Sequence, residues 1–356
     1  MKESRSQEAR TFLRDAVNVD ISDTGRASMR PGLRKVADVA LANLWQSPLH
    51  RDTFARLGDQ WVKVDPSTWG CQPLATIGEA PVSHLALNST VLVAGRDGIF
   101  QYDGATARRF TLDAPPPPMV APGAGSLGPG TYGVAVAWLR GTTESPLSGV
   151  THCTLGADGG IDVTLPLCLD ATVTQVRLYL TRQNGGEPLR GGDYPISTTF
   201  VSLPLLPELG APAQFQYKEP MPTGAYLAYW RGRLLTARTN VLRFSEAMAY
   251  HVHDPRHGFV QMPQRITFVA PVDGGIWVGQ VDHVVFLAGS SLGELTLYRK
   301  TAKPPVPGSV VALDAEDTDG LTGKGGAVVA WLAENGFVLG SPDGGVEEKH
   351  DRRLGG

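Results

Sequence analysis

The stretch YLAYWRGRLLTARTNVLRFS (226–245), with GIWVGQVDHVVFLAG (275–289) downstream, decides how this chain is read. Both segments have one form: an apolar run, a short polar turn, a second apolar run. Runs of this length, rich in Val, Leu, Phe and Trp and bounded by Gly, Asn or Asp, are the two strands of a hairpin. The form recurs in VLVAGRDGIFQY (91–102), in VVAWLAENGFVL (328–339) and, more weakly, in FARLGDQWVKV (54–64). Asp97-Gly98 and Asn335-Gly336 are expected as two-residue turns, because such pairs supply the positive φ angles that tight hairpins demand. Copies near residues 234, 276 and 328 stand roughly 40 residues apart, the period of a small repeated β-sheet. The expected fold is all-β: a β-propeller-like array of short antiparallel sheets.

Composition agrees. The 356 residues include 42 glycines and 27 prolines, with 42% hydrophobic residues. That balance fits many short strands joined by tight turns. Mean hydropathy is −0.10, and no apolar run approaches the roughly 20 residues of a membrane helix. MKESRSQEAR (1–10) lacks the apolar centre of a secretory signal, so assembly in the cytoplasm without membrane insertion is expected. A net charge of −3 gives no global basic field to recruit nucleic acid. Cys71, Cys153 and Cys168 form no CxxC pair, and small buried hydrophobes are the expectation for them.

Along the chain, Val17, Val19 and Ile21 alternate with polar residues as in a half-buried strand, Asp23-Thr-Gly25 turns it, and Ala27–Val36 returns, broken at Arg30-Pro31-Gly32. If the array closes, these strands are expected to complete the last sheet, since closure removes exposed edges. Trp45, Trp61 and Trp69 are placed between sheets. APPPP (114–118) is a stiff boundary. Beyond it, GTYGVAVAWL (130–139) puts Tyr132, Val134, Val136 and Trp138 on one face, TTESPLS (142–148) forms a loop, and further short strands follow at turn spacings of about 8–12 residues. An inserted immunoglobulin/fibronectin type III-like β-sandwich is expected over 114–218, between array parts 1–113 and 219–356. Residues 347–356 are charged and Gly-ended, and expected to be mobile.

The sequence carries few signs of reactive chemistry. GSSLG (289–293) matches G-x-S-x-G, but the strand-like ELTLY after it replaces the helix a nucleophile elbow requires. His251, His253 and His257 have a spacing that can serve a metal, with Asp254 as the one nearby carboxylate; loop histidines beside proline are more often interfacial. DAEDTDG (314–320) lacks the ligand spacing of a calcium loop, and GLTGKGG (320–326) fails the phosphate-loop pattern. No catalytic, cofactor-binding or metal residue is assigned, no cofactor is expected, and an enzyme is not the favoured class.

AVNVDISDTGRASMRPGLRKV (16–36), RGRLLTARTNVLRFSEAM (231–248), APVDGGIWVGQVDHVVFLAG (270–289) and PPVPGSVV (304–311) together resemble the tail nozzle or packaged-DNA stabilisation proteins of short-tailed bacteriophages. The order PGTY, TESPLS, VTQVRLYLT resembles fibronectin type III modules of phage structural proteins. The resemblance implies a structural protein of the virion tail: a homohexameric ring below the portal and adaptor that continues the DNA channel, retains the packaged genome and carries fibres or spikes. A mild negative charge suits a wall that double-stranded DNA passes without sequence-specific binding. The alternatives are a tail-associated propeller that binds a host surface glycan or protein and, third, a propeller glycosidase, which needs paired carboxylates about 5–10 Å apart.

Overall fold

The computed structural model describes residues 19–21, 26–29, 35–49, 51–314 and 326–349. It divides into two compact units, residues 1–40 and 41–356. In the first, Val19–Ile21 pairs antiparallel with Ala27–Met29 and with no other strand among the described residues. The Asp23–Gly25 turn and the Arg30-Pro31-Gly32 break lie outside the described residues, as do residues 315–325 of the acidic and glycine-rich runs.

The second unit is all-β, with many short antiparallel sheets and one 3-10 turn among the described residues. Five sheets follow the same plan, each strand pairing with the next in sequence. The first holds Leu41–Gln46, Thr53–Leu57, Gln60–Val64 and Cys71–Thr76; the second holds Ser83–Leu87, Thr90–Gly95, Gly98–Tyr102 and Ala107–Arg109. The third begins with Ala225–Trp230, Arg233–Arg238 and Val241–Glu246. Its outer place is shared by Ala249–His253 and Phe259–Gln261, both paired with Val241–Glu246, and Glu219–Pro220 extends it beyond Ala249–His253. The fourth is Ile266–Val272, Gly275–Gln280, Val284–Ala288 and Thr296–Arg299. The fifth is Val311–Asp314, Ala327–Ala333, Gly336–Gly340 and Val346–Lys349.

Consecutive sheets share cores. Phe54, Trp61 and Ile77 of the first pack with Val91, Val93 and Tyr102 of the second. Leu92, Ala94 and Ile99 turn the other way, onto Leu227 and Leu234 of the third. Phe244 and Leu235 meet Ile276 and Val285 of the fourth, whose Trp277 and Phe286 meet Trp331 and Val338 of the fifth. A strand buried on both faces needs apolar residues at every position, so VLVAG and GIWVG read as continuous runs rather than alternations. The two end sheets each carry one further apolar cluster, on the face turned away from their neighbour: Ala55, Val62 and Val64 in the first, Val328, Ala330 and Leu339 in the fifth.

Two expectations are corrected here. All four described strands of the fifth sheet come from residues 311–349. Glu347 and Glu348 belong to its last strand, opposite Leu339 and Val338, rather than to a loose tail. The turns sit one residue earlier than expected: Gly95 pairs Gly98 and Ala333 pairs Gly336. The loops are therefore Arg96-Asp97 and Glu334-Asn335, and the positive φ falls on Gly98 and Gly336, each the first strand residue after its turn. Positive φ at both turn residues occurs instead at Asn88-Ser89 and Arg231-Gly232.

Residues 119–203 form two sheets face to face. Met119–Leu127, Gly159–Thr164 and Phe200–Leu203 make one; Gly130–Arg140 makes the spine of the other, with Thr143–Glu144, Thr151–Leu155, Gln175–Leu180 and Leu189–Pro195. Tyr132, Val134, Val136 and Trp138 enter the shared core with Leu178, Ile161, Val163 and Leu203. Cys153 is buried in it and Cys168 packs at its edge. Trp61 is buried between the first and second sheets. Trp69 lies on the first sheet's other face, at φ +59°, and not between sheets.

Candidate functional site

The most elaborated polar region is the joint between the two-sheet insertion and the five-sheet array. Chain crosses it twice, and both crossings are fastened. On the outward crossing, Arg140 ends the insertion's longest strand, is buried, and donates to the carbonyls of Arg109 (2.8 Å) and Phe110 (2.6 Å). A guanidinium suits this task, because its fixed fork of donors satisfies two carbonyls at once. Leu112 is already part of the insertion's core, and Pro115 and Pro118 are buried. The proline run is thus packed against the insertion as well as stiff.

On the return crossing, Phe215 packs on Ala249 and Val252 of the third sheet and meets the His251 ring edge-on at 5.8 Å. His251 Nε2 lies 2.8 Å from the Glu144 carbonyl, which can only accept, so that nitrogen carries the proton. Burial pulls His251 below the ordinary imidazole range. Lys218 then bridges Glu246 and Asp254, 2.7 Å from each. Burial by itself would raise the Asp254 carboxyl, but hydrogen bonds from Lys218, the Arg256 amide and His257 outweigh it and hold the group far below the usual range. Thr223 closes the crossing by donating to the Gly95 carbonyl of the second sheet (2.6 Å).

Glu144 is the hub. Its carbonyl reaches His251, while its carboxylate accepts from Arg177 (2.6 Å) and Tyr179 (2.5 Å) within the insertion. Arg177 also forks onto both oxygens of Asp193 at 2.7 and 2.9 Å. Hydrogen bonding to Asp193 and pairing with Glu144 push Arg177 upward; burial, then Glu144, push the Tyr179 phenol upward. Sequence reading treats 142–148 as a plain loop. Its one signal is an acidic residue in an otherwise neutral TTESPLS segment, which does not by itself announce a hub.

A cleft of about 470 Å³ opens at this joint, lined by Arg109, Asp113, Trp138, Cys168 and Asp170 among others, with Leu167 and Leu169 on its border. Those leucines are 80% and 90% exposed, in contrast to the buried Leu165 just before them. Burial raises the Cys168 thiol, which keeps it protonated and a poor nucleophile.

The structure separates the sequence-level candidates. His251 faces Glu144, His253 uses Nδ1 on the Phe244 carbonyl (2.9 Å), and the exposed His257 leans on Asp254 (3.3 Å). The three imidazoles serve three separate partners. Among the described residues no group of three or more His, Cys, Asp and Glu side chains converges as metal ligands. In GSSLG, Ser290 donates to Glu294 (2.8 Å) beside the 3-10 turn Leu292–Glu294, and the chain then enters the edge strand Thr296–Arg299. This is a connection between strands, without the strand–serine–helix geometry of an elbow.

No family model matches the chain, and no curated protein matches it. Among solved structures, the crystal structure of the mitotic checkpoint complex is similar at 11% identity over 96% of this chain and 100% of that one, with a TM-score of 0.27. The AfRom2 CNH domain aligns at 12% identity over 84% of this chain and 93% of that one, with a TM-score of 0.20. The extracellular domain of a hybrid two-component system from B. thetaiotaomicron aligns at 12% identity over 95% of this chain and 46% of that one, with a TM-score of 0.23. Likenesses at these scores carry no argument about what this chain does.

Proposed function

We propose that this chain is a structural protein of a phage tail, of the nozzle or packaged-DNA stabilisation type, working as an oligomeric ring below the portal and adaptor. In this reading the five sheets are blades of a propeller-like array, and residues 119–203 are an immunoglobulin/fibronectin type III-like insertion between the second and third blades. The repetition of four-stranded sheets in sequence order supports the array. The apolar end faces of the first and fifth sheets are the pair that closure would bring together. The observation that carries the functional reading is the fastening of the insertion at both crossings, through Arg140, Glu144–His251 and Lys218, on a chain whose sequence resembles the nozzle proteins. A module held this rigidly transmits load and keeps a fixed position in an assembly, which a ring component requires.

Light scattering followed by negative-stain imaging, with and without the portal–adaptor complex, tests the proposal. Six-membered rings, alone or on the adaptor, are expected. A stable monomer that ignores the adaptor overturns it. The exposed Leu167–Leu169 lip beside the 470 Å³ cleft favours a second reading, a tail-tip module that binds a host surface glycan or protein. That reading predicts binding by the monomer in a glycan or receptor screen, where the ring reading predicts none.

A further inference from the structure

Between the second and third sheets lies a smaller cavity of about 290 Å³, at the small end of the roughly 300–1,000 Å³ typical of ligand sites. Arg96, on the Arg96-Asp97 turn, lines it from one side, and Arg238 and Thr239, at the end of a third-sheet strand, line it from the other. Backbone of Gly95 and Gly224 contributes to the wall. The carboxylate closest in sequence, Asp97, lies against Gly78 and is not part of the lining.

A third arginine, outside the lining, neighbours Arg238. Arg238 pairs with Val241, and Thr236 with Arg243, so Arg238 and Arg243 are diagonal neighbours on the face turned to the second sheet. Nη1 of Arg243 is buried and has no hydrogen-bond partner. A buried, unmet guanidinium N–H is costly, and such groups call for an explanation. Among the described residues none of the three arginines forms an ion pair, although Asp and Glu outnumber Lys and Arg in the chain, 35 to 32. Between residues 226 and 245 the sequence carries Arg231, Arg233, Arg238 and Arg243 and no acid at all. Burial, and then the charge of Arg238, pull the Arg243 pKa down.

We infer that this cavity binds a phosphoryl-type oxyanion, gripped between Arg96 and Arg238 with Arg243 supplying charge beside Arg238. A tetrahedral oxyanion offers acceptors to two guanidinium forks at once, and removes the repulsion between Arg238 and Arg243. Free phosphate and the phosphodiester backbone of nucleic acid present the same chemistry. The inference is independent of the tail-nozzle reading.

Calorimetric titration of the full chain with inorganic phosphate, and in parallel with a short DNA duplex at low and raised salt, tests it. One phosphate per chain is expected, with affinity falling at least about tenfold in Arg96→Gln and Arg238→Gln and unchanged in Arg182→Gln, an exposed arginine of the insertion. Duplex binding that depends on the same arginines and weakens with salt identifies nucleic acid as the source; phosphate binding without duplex binding identifies the free ion. Melting curves matching the parent confirm that the exposed-site variants fold. Absence of binding to either probe overturns the proposal, as does binding that survives in both variants.

Discussion

The five-sheet array and the two-sheet insertion bury their apolar surface in different ways. The insertion has one principal core, into which both of its sheets point. The array has four, strung between consecutive sheets, and its middle sheets feed a different core from each face. A single core is lost or kept as a whole, whereas a chain of interfaces resembles a repeat protein, where each unit is stabilised mainly by its neighbours. Hydrogen bonding differs in parallel. The insertion is laced by the Glu144–Arg177–Asp193 network. The array's large indoles are packed for shape, and Trp61, Trp230 and Trp331 have no acceptor for the indole N–H.

The largest effects come from breaking one core of each kind. Trp331→Ala removes a fully buried indole that contacts Phe268 and Trp277, and should cost about 3–5 kcal/mol. Leu178→Ala, at the centre of the insertion, should cost about 2–5 kcal/mol. The comparison predicts different patterns of hydrogen exchange. In Trp331→Ala, faster exchange should stay within the fourth and fifth sheets; in Leu178→Ala, it should rise across both sheets of the insertion while the array holds. Uniform loss of protection in both variants would show that the array and insertion unfold as one cooperative body.

The next effect is acid-dependent and sits at the first interface of the array. His84 stacks on Trp45 with ring centroids 5.2 Å apart, tilts against Phe54 and Trp61, and leaves its Nε2 buried without a partner. Burial lowers its pKa from about 6.5 to about 4. The unfolded chain therefore binds the extra proton between those values. Stability from keeping His84 neutral is fully present above about pH 6.5, and is lost as pH falls toward 4, by about 3 kcal/mol at most. His84→Phe should flatten that part of the pH–stability curve. His251 and His253, also lowered by burial, still titrate in the variant, so the difference between the two curves isolates His84. An unchanged acid slope would place the sensitivity at the joint.

How much of this was legible depends on whether the signal is local. Apolar runs bounded by turn residues mark strands at 91–102, 226–245, 275–289 and 328–339 because burial on both faces writes itself into consecutive residues. The Tyr132–Trp138 face is legible for another reason: this strand too is buried on both sides, but large residues alternate with the small Gly133, Ala135 and Ala137, and the large ones mark the principal core. The joint was not legible. Arg140, Glu144, His251 and Lys218 come together only through contacts between distant positions, and each alone looks like an ordinary polar residue. The arginine-lined cavity is hidden for the same reason, since Arg96 and Arg238 line it from two different sheets. The turns fall one residue from where the sequence puts them because Asp-Gly and Asn-Gly pairs satisfy two hairpin registers, and the pairing partners decide between them.

That ambiguity leads to the smallest predicted effect. Thr239, in the turn between Arg238 and Val241, has φ +57°, a conformation unfavourable for a β-branched residue, and it makes no side-chain hydrogen bond. The left-handed conformation costs an L-residue roughly 1–2 kcal/mol, while glycine there loses about 0.5–1 kcal/mol through its freer unfolded chain. Thr239→Gly should therefore be mildly stabilising, by up to about 1 kcal/mol, and denaturant unfolding with an unchanged m-value measures it. Within the array the gain should appear as slower exchange in the third sheet and its immediate neighbours. A variant less stable than the parent would mean that the threonine side chain holds the turn through contacts worth more than the strain, and that interfaces rather than turns set the stability of each sheet.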